Sequence, residues 1–268
     1  MDKSLKNNRT IKAYLTIGHT FGTWIGPIVT GLLLFFMRQL ITIGLALDKV
    51  FYSALKKEKL TDPIVIVGNP RSGTTFLHRY LINMGLGSGA QLWQLIYPSI
   101  ILQKFIRPLL PLLELISPAR HHSTDAHQTS LRSIETDDVS LFFRYFDGFF
   151  LYGFLLSFAD EDLFDWFDPK LRNTSQRDFR WLEAIWMRTI ISSKKEPIIG
   201  KLFSLSTNLP AFMERFPDSK IIYMVRDPVN VLPSGLSLVT GVLDKRFGFW
   251  SLPKNKRDQY IDRLYTAL

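Results

Sequence analysis

The chain opens polar and then carries no Asp, Glu, Lys or Arg from Ala13 to Met37, with Phe21 to Met37 almost wholly apolar. A membrane-crossing helix needs ~20 apolar residues, so this stretch is long enough to span a bilayer. Apolar character resumes from Leu40 to Leu47, and Asp62-Pro63 closes the region. Beyond it PIVIVG (63–68) reads as a short buried strand, and 76–85 shows helical periodicity ending on Gly85. Residues 92–118 are rich in Leu and Ile but interrupted by Pro98, Pro108, Pro111 and Pro118, which predicts broken helices. A polar loop is predicted over 119–138, followed by an aromatic-dominated stretch over 139–158. An amphipathic helix is expected over 178–192, strands over 196–203 and 219–227, a short helix at LPAFMERFP between them, and a helix from Val229 despite Pro233. Strands that are continuously apolar and alternate with helices predict an α/β fold: a P-loop-like, three-layer architecture with a central parallel sheet, plus an N-terminal apolar helical segment.

With 268 residues, 46% of them hydrophobic, the chain can bury a full core, and a disordered or coiled-coil class is excluded. The absence of cysteine excludes a disulfide framework, a Cys-ligated zinc site and thiol catalysis. Net charge is +9, which invites a nucleic-acid reading until the charge is located. Residues 1–60 hold +6 and residues 244–268 hold +3, while the body between them is neutral. A nucleic-acid partner is therefore not expected. Basic residues flank the apolar run on both sides, Lys3, Lys6, Arg9 and Lys12 before it and Lys49, Lys56, Lys57 and Lys59 after it. Two basic flanks suit a surface-lying or re-entrant segment as well as a span. The division expected is a membrane-associated N-terminal helical segment, 1–60, and one globular domain, 61–268.

The candidate chemistry begins where the first strand ends. Gly68-Asn69-Pro70-Arg71-Ser72-Gly73-Thr74-Thr75 followed by a helix is the layout of an anion cradle, with helix-start amides and the dipole facing the anion. Ser72, Thr74 and Thr75 add hydroxyls, and Arg71 adds a permanent charge of bidentate geometry. The spacing nearly fits a nucleotide-binding loop of the G-x-x-x-x-G-K-[ST] type, but position 74 is Thr where the decisive Lys would stand. The cation lies three residues earlier, at Arg71.

A loop with its cation in that place resembles the 5′-phosphosulfate loop of the PAPS-dependent sulfotransferase superfamily, in the branch with Arg in the loop. That family grips the 3′-phosphate of its donor, 3′-phosphoadenylyl sulfate (PAPS), with an Arg ending a strand and a Ser eight residues later. Here IIYMVRDPVNVLPSGLSL has Arg226 at the strand end and Ser234 eight positions on. The resemblance covers roughly residues 61–240 and implies that 61–268 is a sulfotransferase domain. Because the chain stops at Tyr265-Thr266-Ala267-Leu268 inside a helical pattern, the domain reads as C-terminally incomplete.

The resemblance implies transfer of a sulfuryl group from PAPS to an acceptor hydroxyl, with Arg71, Ser72, Gly73, Thr74, Thr75, Arg226 and Ser234 binding the donor and no metal. Arg71 and the loop amides would stabilise charge on the leaving oxygen. An acceptor hydroxyl needs a general base, and the candidates share one loop: His121, His122, His127, Glu135, Asp137 and Asp138. By position the resemblance points first to Glu135 and then to His127. It also matches Lys201 to a family lysine, although Phe203-Ser204 departs from the Ser/Thr-Pro that follows there. Apolar stretches on either side of this loop suggest a lipophilic alcohol, glycolipid or glycan acceptor met at a membrane, with the catalytic domain on its cytoplasmic side. Two alternatives stand beside this one. The strand–loop–helix alone would serve a P-loop NTPase or kinase, and a decayed site would leave a catalytically inactive, membrane-anchored nucleotide-binding protein.

Overall fold

The structure, a computed structural model, describes residues 8–57, 59–117 and 129–267. Three short strands, β1 (Ile64–Val67), β2 (Ile199–Leu202) and β3 (Lys220–Tyr223), form a parallel sheet in the order β2-β1-β3. Ile66 pairs with Lys201 on one side and Ile222 on the other. Side chains alternate across a strand, so Ile66 and Lys201 share one face while Val65, Val67 and Leu202 share the opposite one. Against that second face pack α9 (Ser175–Ser193) and α10 (Leu209–Arg215), through Phe179, Leu182, Trp186, Ile190 and Phe212. The first face carries α3 (Thr74–Asn83), where His78 Nε2 donates to the Ile199 carbonyl at 2.7 Å. A parallel sheet covered by helices on both faces is the architecture the pattern predicted. One strand differs: Lys220 and Tyr223, the two ends of β3, are exposed, whereas β2 at the opposite edge of the sheet is buried throughout.

N-terminal to the sheet lie α1 (Arg9–Phe21) and α2 (Ile25–Phe51), joined by a tight turn in which Gly22 takes φ 65°. α1 buries Ala13 against Leu151, Tyr152 and Leu156, and Phe21 stacks on Phe247 at 4.6 Å. The proline-interrupted region forms α4 (Leu92–Ile96), α5 (Ile100–Ile106), a 3₁₀ turn over Arg107–Leu109 and α6 (Leu110–Ile116). The aromatic stretch splits into α7 (Asp138–Tyr145) and α8 (Phe149–Phe154), separated by Phe146 at φ 51° and Gly148 at φ 83°. α11 (Pro228–Phe247) continues through Pro233, and α12 (Lys254–Ala267) follows.

Buried contacts cross the boundary expected at residue 60. Ile41 of α2 sits in a cluster with Ala90, Leu95, Leu141, Trp181 and Ile185. Asp48, fully buried, accepts from Ser99 Oγ and from the Ile100 and Ile101 amides, each at 3.0 Å, and from Arg188 Nε at 2.8 Å. One α2 carboxylate thus supplies the acceptor for the orphan amides of α5 and the counter-charge for a buried arginine of α9. Gly44 permits the close approach, since a Cβ there would come within 2.7 Å of the Ser99 and Leu102 side chains.

Candidate active site

The site is built where β1 and β3 run out. After Val67 the chain turns through Gly68 at φ 147°, where a Cβ would stand 2.5 Å from the Met224 carbonyl oxygen. Glycine is required there because the neighbouring strand end passes too close for any side chain. Arg71 takes φ 74° and Gly73, at φ 91°, opens α3. The first amides of α3 have no partner within the helix and stand at its positive end.

Two of the cations and one hydroxyl expected to bind the donor meet at this loop. Arg71 Nε donates to Ser234 Oγ at 2.8 Å, and Arg226 Nη1 donates to the Arg71 carbonyl at 3.1 Å. Arg226 is exposed and directly precedes Asp227, whose carboxylate caps α11 by accepting from the Val229 amide at 2.9 Å. Ser234 lies in the second turn of that helix. Two segments 163 residues apart are therefore locked by a side-chain hydrogen bond. The loop hydroxyls differ among themselves. Ser72 is buried and its Oγ donates to the Asn69 carbonyl, so it braces the turn, and Thr74 is buried as well. Thr75 accepts from Lys201 Nζ at 2.8 Å, which leaves its own hydroxyl hydrogen for another acceptor.

Lys201 brings an ammonium to the loop from the neighbouring strand. Its register opposite Ile66 directs the side chain to the α3 face, where the ammonium reaches Thr75 and lies 5.1 Å from the Phe203 ring centroid. Burial pulls its pKa down to about 8, against the pull of nearby Glu135, Asp137 and Asp138. Asp137 holds this strand end in place: its Oδ2 accepts from the Lys201 amide at 2.8 Å and its own amide donates to the Lys201 carbonyl at 2.9 Å. Burial pushes the Asp137 carboxyl up to about 7, despite hydrogen bonds from the Lys201 amide and Trp186. Asp138 is raised by burial too, and accepts from Thr136, the Phe203 amide and Ser204. Both aspartates serve as structural acceptors that tie the loop to β2. His78, buried beside Lys201, is lowered to about 3 chiefly by desolvation, so its ring stays neutral.

Glu135 is buried, and its Oε1 accepts from Arg79 Nη2 at 2.7 Å. Arg79 lies one helical turn after Thr75, so both face the same side of α3. Glu135, Arg79, Thr75 and Lys201 thus form one charged group beside the loop. The stretch predicted as a polar loop is, in its described part, largely buried: Glu135, Thr136, Asp137 and Asp138 all turn inward, and Asp138 begins α7. His121, His122 and His127 lie outside the described residues. Two members of the group had weak signals in the sequence. Arg79 was readable only as an i+4 neighbour of Thr75, and Lys201 only through a partial match to a family lysine, its partner Thr75 being set by the strand register.

A family model described as the sulfotransferase family matches residues 63–260. Among curated proteins, omega-hydroxy-beta-dihydromenaquinone-9 sulfotransferase Stf3 of Mycobacterium tuberculosis is 25% identical over 206 residues, 73% of this chain and 50% of that protein, and its Mycobacterium bovis counterpart matches equally. The chain thus spans about half the length of these relatives. Among solved structures, sulfotransferase STF1 of Mycobacterium tuberculosis superposes with a TM-score of 0.65 at 16% identity, over 97% of this chain and 72% of that one. Sulfotransferase STF9 of Mycobacterium avium does so at 0.54 and 16% identity, over 83% and 59%. At these identities the structures establish a shared fold.

Proposed function

The chain belongs to the sulfotransferase family, and from that membership we propose that it moves a sulfuryl group from PAPS to the hydroxyl of a lipophilic acceptor at a membrane surface. The observation that carries the donor assignment is the Arg71–Ser234 hydrogen bond with Arg226 on the Arg71 carbonyl. It joins a helix-start anion cradle to a strand-end guanidinium, the two halves needed to hold a nucleotide phosphorylated at both 5′ and 3′ positions.

In the proposed reaction the acceptor oxygen attacks sulfur while the bond from sulfur to the bridging oxygen breaks. The electron pair leaves on adenosine 3′,5′-bisphosphate, and the hydroxyl proton passes to the base. Arg71, the α3 amides and the Lys201 ammonium at Thr75 neutralise charge gathering on the leaving oxygen. Glu135 is the first candidate for the base, an acceptor held by Arg79 in the same charged group; His127 is the second. Support for a lipid-like acceptor comes from the relative whose name specifies an omega-hydroxy-menaquinone. Support for a membrane comes from α2, long and apolar enough to enter one. The cysteine-free composition favours a cytoplasmic face.

Calorimetry with adenosine 3′,5′-bisphosphate and with ATP plus Mg²⁺ tests the donor. Preference for the bisphosphate without need of a metal is expected, and preference for ATP would overturn the reading. Labelled donor offered with lipid extracts should give labelled apolar sulfate esters; labelling confined to water-soluble alcohols would overturn the acceptor class.

A further inference from the structure

Both ends of α2 are fastened to the same folded body. At its start the preceding turn is pinned by Trp24, which packs edge-on against Tyr14 and His19 of α1, at 5.5 and 5.2 Å between ring centroids. α1 in turn is docked by Phe21 on Phe158 and Phe247. At its other end α2 is held by the Asp48 bonds to α5 and Arg188, and midway by Arg38 Nε on the Phe143 carbonyl at 2.7 Å. A helix that crosses a bilayer must leave its ends on opposite sides. α2, about 40 Å long at ~1.5 Å per residue, returns to the body that it left.

Its outward surface is nevertheless apolar. Ile25 is 77% exposed, Leu33 66%, Phe36 65% and Val50 72%. α5 packs along α2, and its exposed Phe105 is followed by Leu109 of the 3₁₀ turn and Leu112, Leu115 and Ile116 of α6, all exposed. The exposed cations of these stretches include Lys49, Lys104 and Arg107. Their acids are withdrawn: Asp48 is buried in its ion pair, and Glu114 accepts from the Leu131 amide at 3.0 Å. An apolar strip with a cationic surround fits the headgroup–acyl boundary of an anionic leaflet.

We propose that α2 and the α5–α6 region form one platform that lies in the plane of a single anionic leaflet, without crossing it. The proposal rests on the membrane part of the reading above and not on the chemistry of transfer. It gives the acceptor a route: Glu114 on the platform binds the amide of Leu131, four residues before Glu135, so the leaflet-facing helix is tied directly to the loop that carries the candidate base.

Because the chain has no cysteine, single cysteines report position cleanly. In sealed membranes from expressing cells, an impermeant maleimide should modify Thr23→Cys and Ser53→Cys to the same extent, both reacting or both protected. Modification of one with protection of the other would mean that α2 spans, and would overturn the proposal. When full-length protein is added to phosphatidylcholine–phosphatidylglycerol vesicles, brominated lipid should quench a fluorophore on Leu33→Cys and on Leu112→Cys. It should spare Glu214→Cys, which lies on α10 beyond α9. Quenching at Leu33 alone would exclude the two-part platform. A lipid-free dimer that shields both positions and does not float with vesicles would assign the surface to a second copy. Failure to float in any form removes the membrane reading together with this one; flotation with unequal labelling removes this one only.

Discussion

Arg71 shows how much can rest on one residue of a loop. Its backbone sits at φ 74°, its carbonyl receives Arg226, and its guanidinium holds Ser234. Arg226→Ala removes a charge-assisted contact worth ~1.5–3 kcal/mol, so affinity for adenosine 3′,5′-bisphosphate should fall about ten-fold or more, and Ser234→Ala should weaken it less. Both variants should lose discrimination against the nucleotide without a 3′-phosphate; calorimetry showing the wild-type ratio would remove these residues from the 3′-phosphate site. Lys201 makes a second, pH-dependent case. With its pKa pulled down to about 8, the amine is an ammonium below that pH and neutral above it. If its charge serves the leaving group, kcat/KM should fall as pH rises through about 8, since this profile reports groups of the free enzyme. Lys201→Met should lower turnover by ~10²–10³ and lose that alkaline limb; retention of the limb would assign it elsewhere. Arg71, Arg226 and Ser234 were legible in the sequence because each stands at a fixed place relative to a strand end. Lys201 was matched to a family lysine, but its place beside Thr75 was not legible, because that depends on which strand lies beside β1, and an apolar pattern does not encode neighbour order. The buried acids were misread for a related reason: a polar run looks solvated until its acceptors, here the end of β2, are known.

Among the elements, the strands and helices of the body followed from periodicity, down to the breaks at the prolines before α6. Pro233 was expected within a helix and α11 does continue through it. The structure adds an interlock that periodicity could not carry. Asp48, which follows the apolar stretch Leu40–Leu47, closes the amino end of α5 and neutralises Arg188 inside the protein. Removing one partner of a buried ion pair costs about 3–5 kcal/mol, because the other charge is left without compensation. Asp48→Ala should therefore lower unfolding free energy in urea by roughly that amount, and the double variant Asp48→Ala/Arg188→Met should recover part of it. A loss within ~0.5 kcal/mol for Asp48→Ala would show that the α2 junction contributes nothing to the fold.

At the scale of the whole molecule, the N-terminal region has two surfaces with opposite requirements. Its outer side is apolar and open, while its inner side covers Trp181, Ile185, Leu95 and Ala90 through Ile41 and binds Arg188 through Asp48. The sequence pattern revealed the outer side, since an unbroken apolar run is visible without knowledge of the fold. The inner side depends on contacts with residues 50 to 150 positions away, such as Ser99 and Arg188, and no local pattern announces it. Deletion of residues 1–58 consequently does more than detach the body from a membrane. It exposes the apolar cluster around Trp181 and strands a buried guanidinium, a loss comparable with the 5–15 kcal/mol that holds a typical domain together. The truncated chain should be aggregation-prone or fail to unfold cooperatively, with nucleotide binding lost as a consequence. A shorter deletion, of residues 1–7, keeps α1 with its Asn8 cap, α2 and every contact described here, and should retain the wild-type melting temperature. Circular dichroism melts of the two truncations decide the matter: a cooperative transition near the wild-type temperature for the longer one would show that residues 61–268 fold alone, and that the buried contacts of α2 are dispensable.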